Sequence, residues 1–496
     1  MTQSTKKWLC IAALGCVLIT IGVALRVVVM DSVFGAFNAD EASSGLHSLA
    51  AIRDGRLPVV IAGQSYTAVL DAYLFSPILN FADGSVAVLK WLFVGMWAVA
   101  AAATFGATRR LVDRRSAALA SALVWLAPGG LLLLSTLAYM GYALALAVAA
   151  GTVWATAIAA DQVEPTIRQS ALVGFLAGLG FYVHPMFATV LLPVVCVAAF
   201  VHRRDLRRWW LPAVAAAVTA NGPFIAWNAM NGWPSLQKTG TFPGTYSDRF
   251  TGFFTKLLPR GLGLLTLDGR WVFNRALSIG LFVAILLGVV AGCVMLATSA
   301  RRPSRWIVPA GLIACFPLMA LMPPLIFSDD GRYAIIPFAL MAIALGTAAT
   351  RVMSTWSLRS TVAAIAGAAV LWVGITAIPF LDRQQGFDSG DPNAWQDRVI
   401  NRLDELDIEL LAGYYWFVLP IEYRTDREIR TAISCHPYTV RFPSSQILVQ
   451  QAPPESVAFL FPPGDHDPSC FYLPQDSYKR EDLGGMTLYV PISSGT

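Results

Sequence analysis

The chain has 496 residues and a formal net charge of +5; 56% of its residues are hydrophobic, only 14% are charged, and the mean hydropathy is +0.58. Soluble globular proteins carry about 25% charged residues, so these values exclude an ordinary soluble enzyme and point to a chain that lives in lipid. The positive charge does not point to nucleic acid, because most basic residues stand at the ends of apolar runs, where membrane topology accounts for them.

The apolar runs are too long for barrel strands, and in hydrocarbon each spanning backbone must satisfy its own hydrogen bonds. The expected fold class is therefore a polytopic α-helical membrane protein of about eleven spans. The first follows Lys6 and Lys7 and covers about 8–30. It is longer than a signal-peptide core and lacks a small-x-small cleavage site, so it reads as a retained span. With Lys6 and Lys7 cytoplasmic, residues 31–85 form a first outer loop. A span over about 86–108 returns to Arg109, Arg110, Arg114 and Arg115. Spans at about 117–136, kinked at Pro128-Gly129-Gly130, and at 137–160 form a hairpin. The next pair, about 170–182 and 186–201, turns at His184-Pro185 and ends on Arg203, Arg204, Arg207 and Arg208. A seventh span, about 209–227, opens a second outer loop over 228–271, and the eighth, about 272–297, comes back to Arg301, Arg302 and Arg305. Spans at about 306–327, 333–350 and 360–380 complete the bundle, with Arg351 and Arg359 between the last two. The strong basic clusters all fall on one side, which makes the N-terminus cytoplasmic and both long loops extracytoplasmic.

Residues 381–496 have soluble composition. They are expected to form a small extracytoplasmic α/β domain, with helices at 397–411 and 413–423 and strands at 456–461 and 486–491, beyond a transmembrane domain over 1–380. Cys10, Cys16, Cys196, Cys293 and Cys315 lie in or beside spans without metal-ligand spacing and read as small packing residues. Cys435 and Cys470 are the two in the exported tail. In an oxidising compartment such a pair closes a disulfide, which is the expectation, or stays as two thiols.

Translocators tend to place ionisable groups at mid-span. Here the span interiors hold almost none, and the charged groups gather at the outer ends and in the outer loops, which favours chemistry at the membrane surface. The first outer loop is the richest segment: Asn38-Ala39-Asp40-Glu41, apolar residues at helical spacing over 46–57, Gly63-Gln64-Ser65-Tyr66, then Asp71 ahead of Tyr73-Leu74-Phe75-Ser76-Pro77. Adjacent carboxylates near the end of a span can accept a proton from a hydroxyl or hold a cation. Equally, Asp40 can cap a helix beginning at Glu41, with Glu41 in its first turn. A phosphate at the membrane surface needs cations or N–H donors. The candidates are Arg332 in the turn Asp329-Asp330-Gly331-Arg332-Tyr333, Arg53 and Arg56 on an amphipathic surface helix, Lys256 and Arg260. Each has a plainer reading as well. Arg332 can anchor the interface beside Asp329 or Asp330, Arg53 and Arg56 can face lipid headgroups, and His184 can donate to a phosphate or sugar or simply shape a His-Pro turn. The aromatics of 228–271 read as interfacial residues, and Asp465-His466-Asp467 as a loop. No Gly-rich phosphate cradle precedes a helix, so a nucleotide-sugar donor is not expected.

Several of these segments, in their order and topological placement, resemble the glycosyltransferase-C superfamily. They are Asn38-Ala39-Asp40-Glu41, Gly63-Gln64-Ser65-Tyr66, Tyr73-Leu74-Phe75-Ser76-Pro77, Gly180-Phe181-Tyr182-Val183-His184-Pro185, Gly331-Arg332-Tyr333, and Gly413-Tyr414-Tyr415-Trp416 with Tyr423 and Arg427-Glu428-Ile429. The nearest likeness is to bacterial enzymes related to protein O-mannosyltransferases and lipid A aminoarabinose transferases. The resemblance implies a helical bundle with juxtamembrane helices in the first loop. It also implies transfer of a hexose or pentose, with inversion, from a polyprenyl-phosphate-linked donor to an envelope glycan, lipid or protein, on the outer face of a bacterial inner membrane. Asp40 matches the family's first-loop acidic residue and would be the general base, with Glu41 positioning the acceptor or a cation. Gln64, Tyr66, Asp71, His184, Arg53, Arg56, Arg332 and Tyr333 are the candidate ligands of substrate and lipid phosphate. Family members often carry Glu where Asp71 stands, which shortens the reach here by one methylene. No cofactor beyond a possible divalent cation is implied. The alternative is a non-enzymatic translocator or assembly subunit for envelope lipids or polysaccharides.

Overall fold

The computed structural model describes residues 3–237, 244–299, 302–321, 331–353, 355–386, 391–434, 440–462 and 477–492. The Cys435–Cys470 pairing, Asp329 and Asp330, the 465–467 segment and the end of the 306–327 span lie outside these residues.

The helices run in chain order as α1 (Gln3–Met30), α2 (Ala39–Arg53), α3 (Leu70–Phe81), α4 (Val86–Leu111), α5 (Arg114–Leu126), α6 (Gly129–Leu134), α7 (Tyr142–Ala160), α8 (Ile167–Val183), α9 (Ala188–Val201) and α10 (Leu211–Met230). They continue as α11 (Tyr246–Gly252), α12 (Leu258–Gly261), α13 (Arg275–Thr298), α14 (Ile307–Ala320), α15 (Ile335–Val352), α16 (Leu358–Thr376), α17 (Ile378–Arg383), α18 (Ala394–Glu405), α19 (Tyr415–Arg424) and α20 (Pro443–Gln451). Seven segments among the described residues are long and apolar enough to cross a membrane: Ala12–Met30, Val86–Leu111, Tyr142–Ala160, Arg275–Thr298, Pro303–Ala320, Arg332–Arg351 and Ser360–Arg383. Shorter apolar helices occupy Ile167–Val183 and Pro185–Val201, meeting at the expected His184-Pro185 turn.

The kink expected in the 117–136 span is a complete break. Ala127 stands at φ +40 as the C-cap of α5, ahead of Pro128, whose ring disfavours helical geometry in the residue before it. The expected helix over 397–411 also needs correcting. It stops at Glu405, Asp407 adopts a left-handed φ of +53, and Leu410–Gly413 is a strand instead.

The chain divides into two compact units, one comprising Met1–Val29, Phe93–Thr136 and Gly141–Phe387, the other Met30–Leu92, Leu137–Met140 and Asp388–Thr496. In the first, α8 and α10 approach closely along small residues. A Cβ on Gly174 would lie 1.9 Å from the Ala213 carbonyl oxygen, and one on Gly178 would lie 2.3 Å from that of Ala217. This is the G-x-x-x-G way of gaining helix contact where hydrocarbon supplies no hydrophobic drive. The same unit contains an exception to the expected absence of charge within spans. Arg26 is 0% exposed in α1, donates to the carbonyls of Gly22 and Trp125 at 2.9 Å each, and lies 4.3 Å over the Trp125 ring.

The second unit contains a five-stranded sheet of β1 (Leu410–Gly413), β2 (Arg430–Ile433), β3 (Val457–Phe461), β4 (Tyr478–Asp482) and β5 (Thr487–Pro491), in the order β2-β1-β3-β5-β4. β1 pairs in parallel with both β2 and β3, with Leu411 opposite Thr431 and Ala458. β5 is antiparallel to β3 and β4. Parallel neighbours need a crossover connection, which α19 and α20 provide. The chain steps from β1 to one side and then crosses back to the other, so a topological switch point lies at the carboxyl ends of β1 and β3.

Candidate active site

Asn38 is the N-cap of α2. Its Oδ1 accepts from the backbone N–H groups of Asp40 (3.0 Å) and Glu41 (3.2 Å). Asp40 therefore does not cap the helix; it stands in the first turn with a side chain free for other work. The backbone just before it is clasped on both sides: Phe37 donates to Asn393 Oδ1 at 2.8 Å, and Gln396 Nε2 donates to the Phe37 carbonyl at 2.7 Å.

The two adjacent carboxylates part company. Glu41 is 0% exposed. Its Oε2 accepts from the Ala138 N–H at 2.9 Å and pairs with Lys90 Nζ at 3.3 Å, and its Oε1 accepts from Asn38 Nδ2 at 3.1 Å. Lys90, buried as well, also donates to the Gly35 carbonyl at 2.9 Å. Burial holds the Glu41 carboxyl above its ordinary value, against the opposing pull of Lys90 and the N–H donors. Both Glu41 oxygens are thus engaged by buried groups of the protein, a setting unlike the open carboxylate that positioning an acceptor or a cation asks for. Asp40 is half-buried, and its Oδ1 accepts from the Tyr415 hydroxyl at 2.6 Å. Tyr415 opens α19 just beyond the carboxyl end of β1. Burial first, and then the neighbouring Asp40 charge, hold its phenol well above the usual range, so it stays a donor. The Arg441 guanidinium lies 5.6 Å over the Tyr415 ring and donates to the Ala62 carbonyl at 3.3 Å.

The other first-loop candidates serve different places. The expected amphipathic surface helix carrying Arg53 and Arg56 is instead buried all round from Ala42 to Ala50 and ends at Arg53. Arg53 pairs with Asp426 and donates to Asn80 Oδ1 at 3.0 Å, while Arg56 is exposed beyond the helix end. Gln64 and Tyr66 lie on a turn closed by a bridge between Val60 and Ala68, with Tyr66 exposed. Asp71 is buried in the first turn of α3.

His47, two turns along α2 from Asp40, is buried edge-on to Phe442 and bonded to the main chain of Arg441. Burial lowers its imidazole to about 4, against about 6.5 unfolded. Between those values the unfolded chain binds the extra proton, so stability falls as pH drops from about 6.5, by roughly 2 kcal/mol at pH 5. A His47→Asn variant is expected to unfold with a flatter pH dependence between 7 and 5. An unaltered slope would place the sensitivity elsewhere.

Three candidates gather in the first unit. His184 is buried at the α8–α9 turn with its ring 5.0 Å from that of Tyr142, and Tyr333 lies 6.2 Å from Tyr142 by centroids. The Arg332 guanidinium stands 6.0 Å over the same ring. Gly331 makes this placement possible: at φ +69, a Cβ there would lie 2.8 Å from the Gly261 nitrogen. Arg260 is buried beneath it, donating to the Thr266 carbonyl, and Lys256 is exposed.

Lys90, Tyr142 and Arg441 belong to no motif in the sequence, and Tyr415 stands there only as part of one. Lys90 alone carried a signal, a single lysine in the apolar opening of a span. No group of three or more His, Cys, Asp or Glu side chains able to hold a metal ion occurs among the described residues.

No family model and no curated protein matches the chain. Among solved structures, ArnT from Cupriavidus metallidurans in the apo state superposes with a TM-score of 0.64 at 11% identity, covering 97% of this chain and 99% of that one. The same protein bound to undecaprenyl phosphate gives 0.62 at 10% identity, over 97% and 98%. The apo oligosaccharyltransferase of Archaeoglobus fulgidus gives 0.51 at 13% identity, over 90% of this chain and 69% of that one. These are membrane glycosyltransferases of the glycosyltransferase-C superfamily, and the chain has their fold, in accord with the resemblance of its loop and tail motifs.

Proposed function

We propose that the protein is a membrane glycosyltransferase that moves a sugar from a polyprenyl-phosphate carrier to an envelope glycan, lipid or protein, with 31–85 and the tail on the extracytoplasmic side of a bacterial inner membrane. The observation that carries the reading is Asp40: a half-buried carboxylate with one oxygen held by a phenol, on a loop after the first span, in a chain of this fold. An undecaprenyl phosphate bound to ArnT, which this chain matches over nearly its whole length, supports a lipid-phosphate donor.

In the proposed reaction the acceptor oxygen forms a bond to the anomeric carbon as the bond from that carbon to the phosphate oxygen breaks. The phosphate leaves with the electron pair, Asp40 takes the hydroxyl proton, and the anomeric centre inverts. To the departing phosphate we assign Arg332, His184 and Tyr333, since cationic and N–H or O–H donors suit phosphoryl oxygens.

The test is donor turnover. Purified protein in lipid nanodiscs, given a labelled polyprenyl-phosphate sugar and an envelope extract, is expected to release polyprenyl phosphate and label a fraction of the extract. Release absent from every donor and extract combination, with intact envelope assembly in cells, would support a non-enzymatic role instead.

A further inference from the structure

The tail is a small α/β domain remote in sequence from the first loop. Its first βαβ unit nevertheless delivers a side chain to the first loop. Tyr415 lies at the sheet's topological switch point, where open α/β sheets present their functional groups. Its neighbour Tyr414 packs edge-on to Phe461 at the end of β3, at 6.2 Å. The Tyr415 hydroxyl reaches Asp40 across 375 residues of sequence at 2.6 Å. Its ring is 5% exposed and covered by Arg441, whose guanidinium also hydrogen-bonds the phenol. A run of contacts thus leads from Ala62 through Arg441 and Tyr415 to Asp40.

A carboxylate has two oxygens that can each receive a proton, and a base works best when only one faces the reacting group in a fixed plane. We propose that Tyr415 is a positioning residue for Asp40: it occupies Oδ1, fixes the carboxylate plane, and leaves Oδ2 to receive the acceptor's proton, so that the exported domain is part of the catalytic apparatus. The proposal rests on the reading of Asp40 as the base. A phenol whose burial keeps it protonated suits the task, because it donates at any working pH. Arg441 strengthens that donor by withdrawing charge from the phenol oxygen, as linked hydrogen bonds do.

A double-mutant cycle separates this proposal from the reading beneath it. Tyr415→Phe keeps the ring and removes one hydroxyl. It is expected to lower kcat about 10- to 100-fold, the range a hydrogen bond to a charged group accounts for, with KM for donor and acceptor and the unfolding midpoint nearly unchanged. In an Asp40→Asn background the same change is expected to have no further effect on the residual rate, since the carboxylate it orients is gone. Wild-type kcat in Tyr415→Phe beside an inactive Asp40→Asn overturns the positioning role alone. Additive losses overturn it too, because Tyr415 would then act independently of Asp40. Full activity in Asp40→Asn overturns both.

Discussion

Replacing Lys90 with methionine is expected to destabilise the unit containing the first loop by about 3–5 kcal/mol, the usual cost of removing one partner of a buried ion pair. Lys90 and Glu41 are almost entirely excluded from solvent, with side chains 5% and 0% exposed. Without the ammonium, Glu41 is left with neutral N–H donors from Ala138 and Asn38, which do not offset a charge in low dielectric. The loss has a predictable pH signature. Burial already raises the Glu41 carboxyl, and Lys90 opposes that shift. Removing Lys90 raises the folded-state value further, so the variant binds a proton on folding. The Glu41 contribution to stability is then fully present at low pH and is lost as pH rises through the raised value, opposite in sign to that of His47. Lys90→Met combined with Glu41→Gln is expected to recover much of the loss, since no buried charge remains. Thermal unfolding and protease protection of 31–85 at two pH values check this. Equal losses in the single and double variants would show that Lys90 contributes packing and not charge.

Asp40→Asn is expected to lower kcat by about 10²- to 10⁴-fold, the range over which general bases act, while donor binding is retained. The substitution is nearly isosteric and an amide oxygen still accepts from Tyr415, so the loop keeps its form; what disappears is the oxygen proposed to take the proton. Initial rates with labelled polyprenyl-phosphate sugar, alongside direct binding of polyprenyl phosphate, separate the two effects. Glu41→Gln serves as the contrast. It leaves Lys90 buried beside a neutral amide and is expected to lower stability first and rate only in consequence. An Asp40→Asn enzyme that keeps its rate would move the base elsewhere.

The two neighbours have different surroundings, although the sequence presents them as equals. Position in the chain places both in the first turn of a helix after a span, and nothing local distinguishes them. What separates them is which face of α2 each occupies and what lies against that face. Glu41 meets Lys90 and the backbone of Ala138, whereas Asp40 meets Tyr415. Arg53 shows the same limit. Its spacing suits a lipid-facing helix, but the side chain closes onto Asn80 and Asp426, the latter 373 residues away in sequence.

The amino-acid sequence by itself determined that the chain is a helical membrane protein with a soluble tail. Hydropathy sums over 18 or more neighbouring residues, and the cost of unpaired backbone in lipid leaves helices as the solution for runs of that length. It also determined the loop that carries the candidate base, because charged groups concentrate there. Tertiary structure alone decided which carboxylate is accessible, that Lys90 neutralises the other, and that a tyrosine from the tail holds Asp40. Those outcomes depend on contacts between segments separated by about 50 to 375 residues. Such contacts are set by the packing of whole elements and leave no periodic trace in the residues that make them.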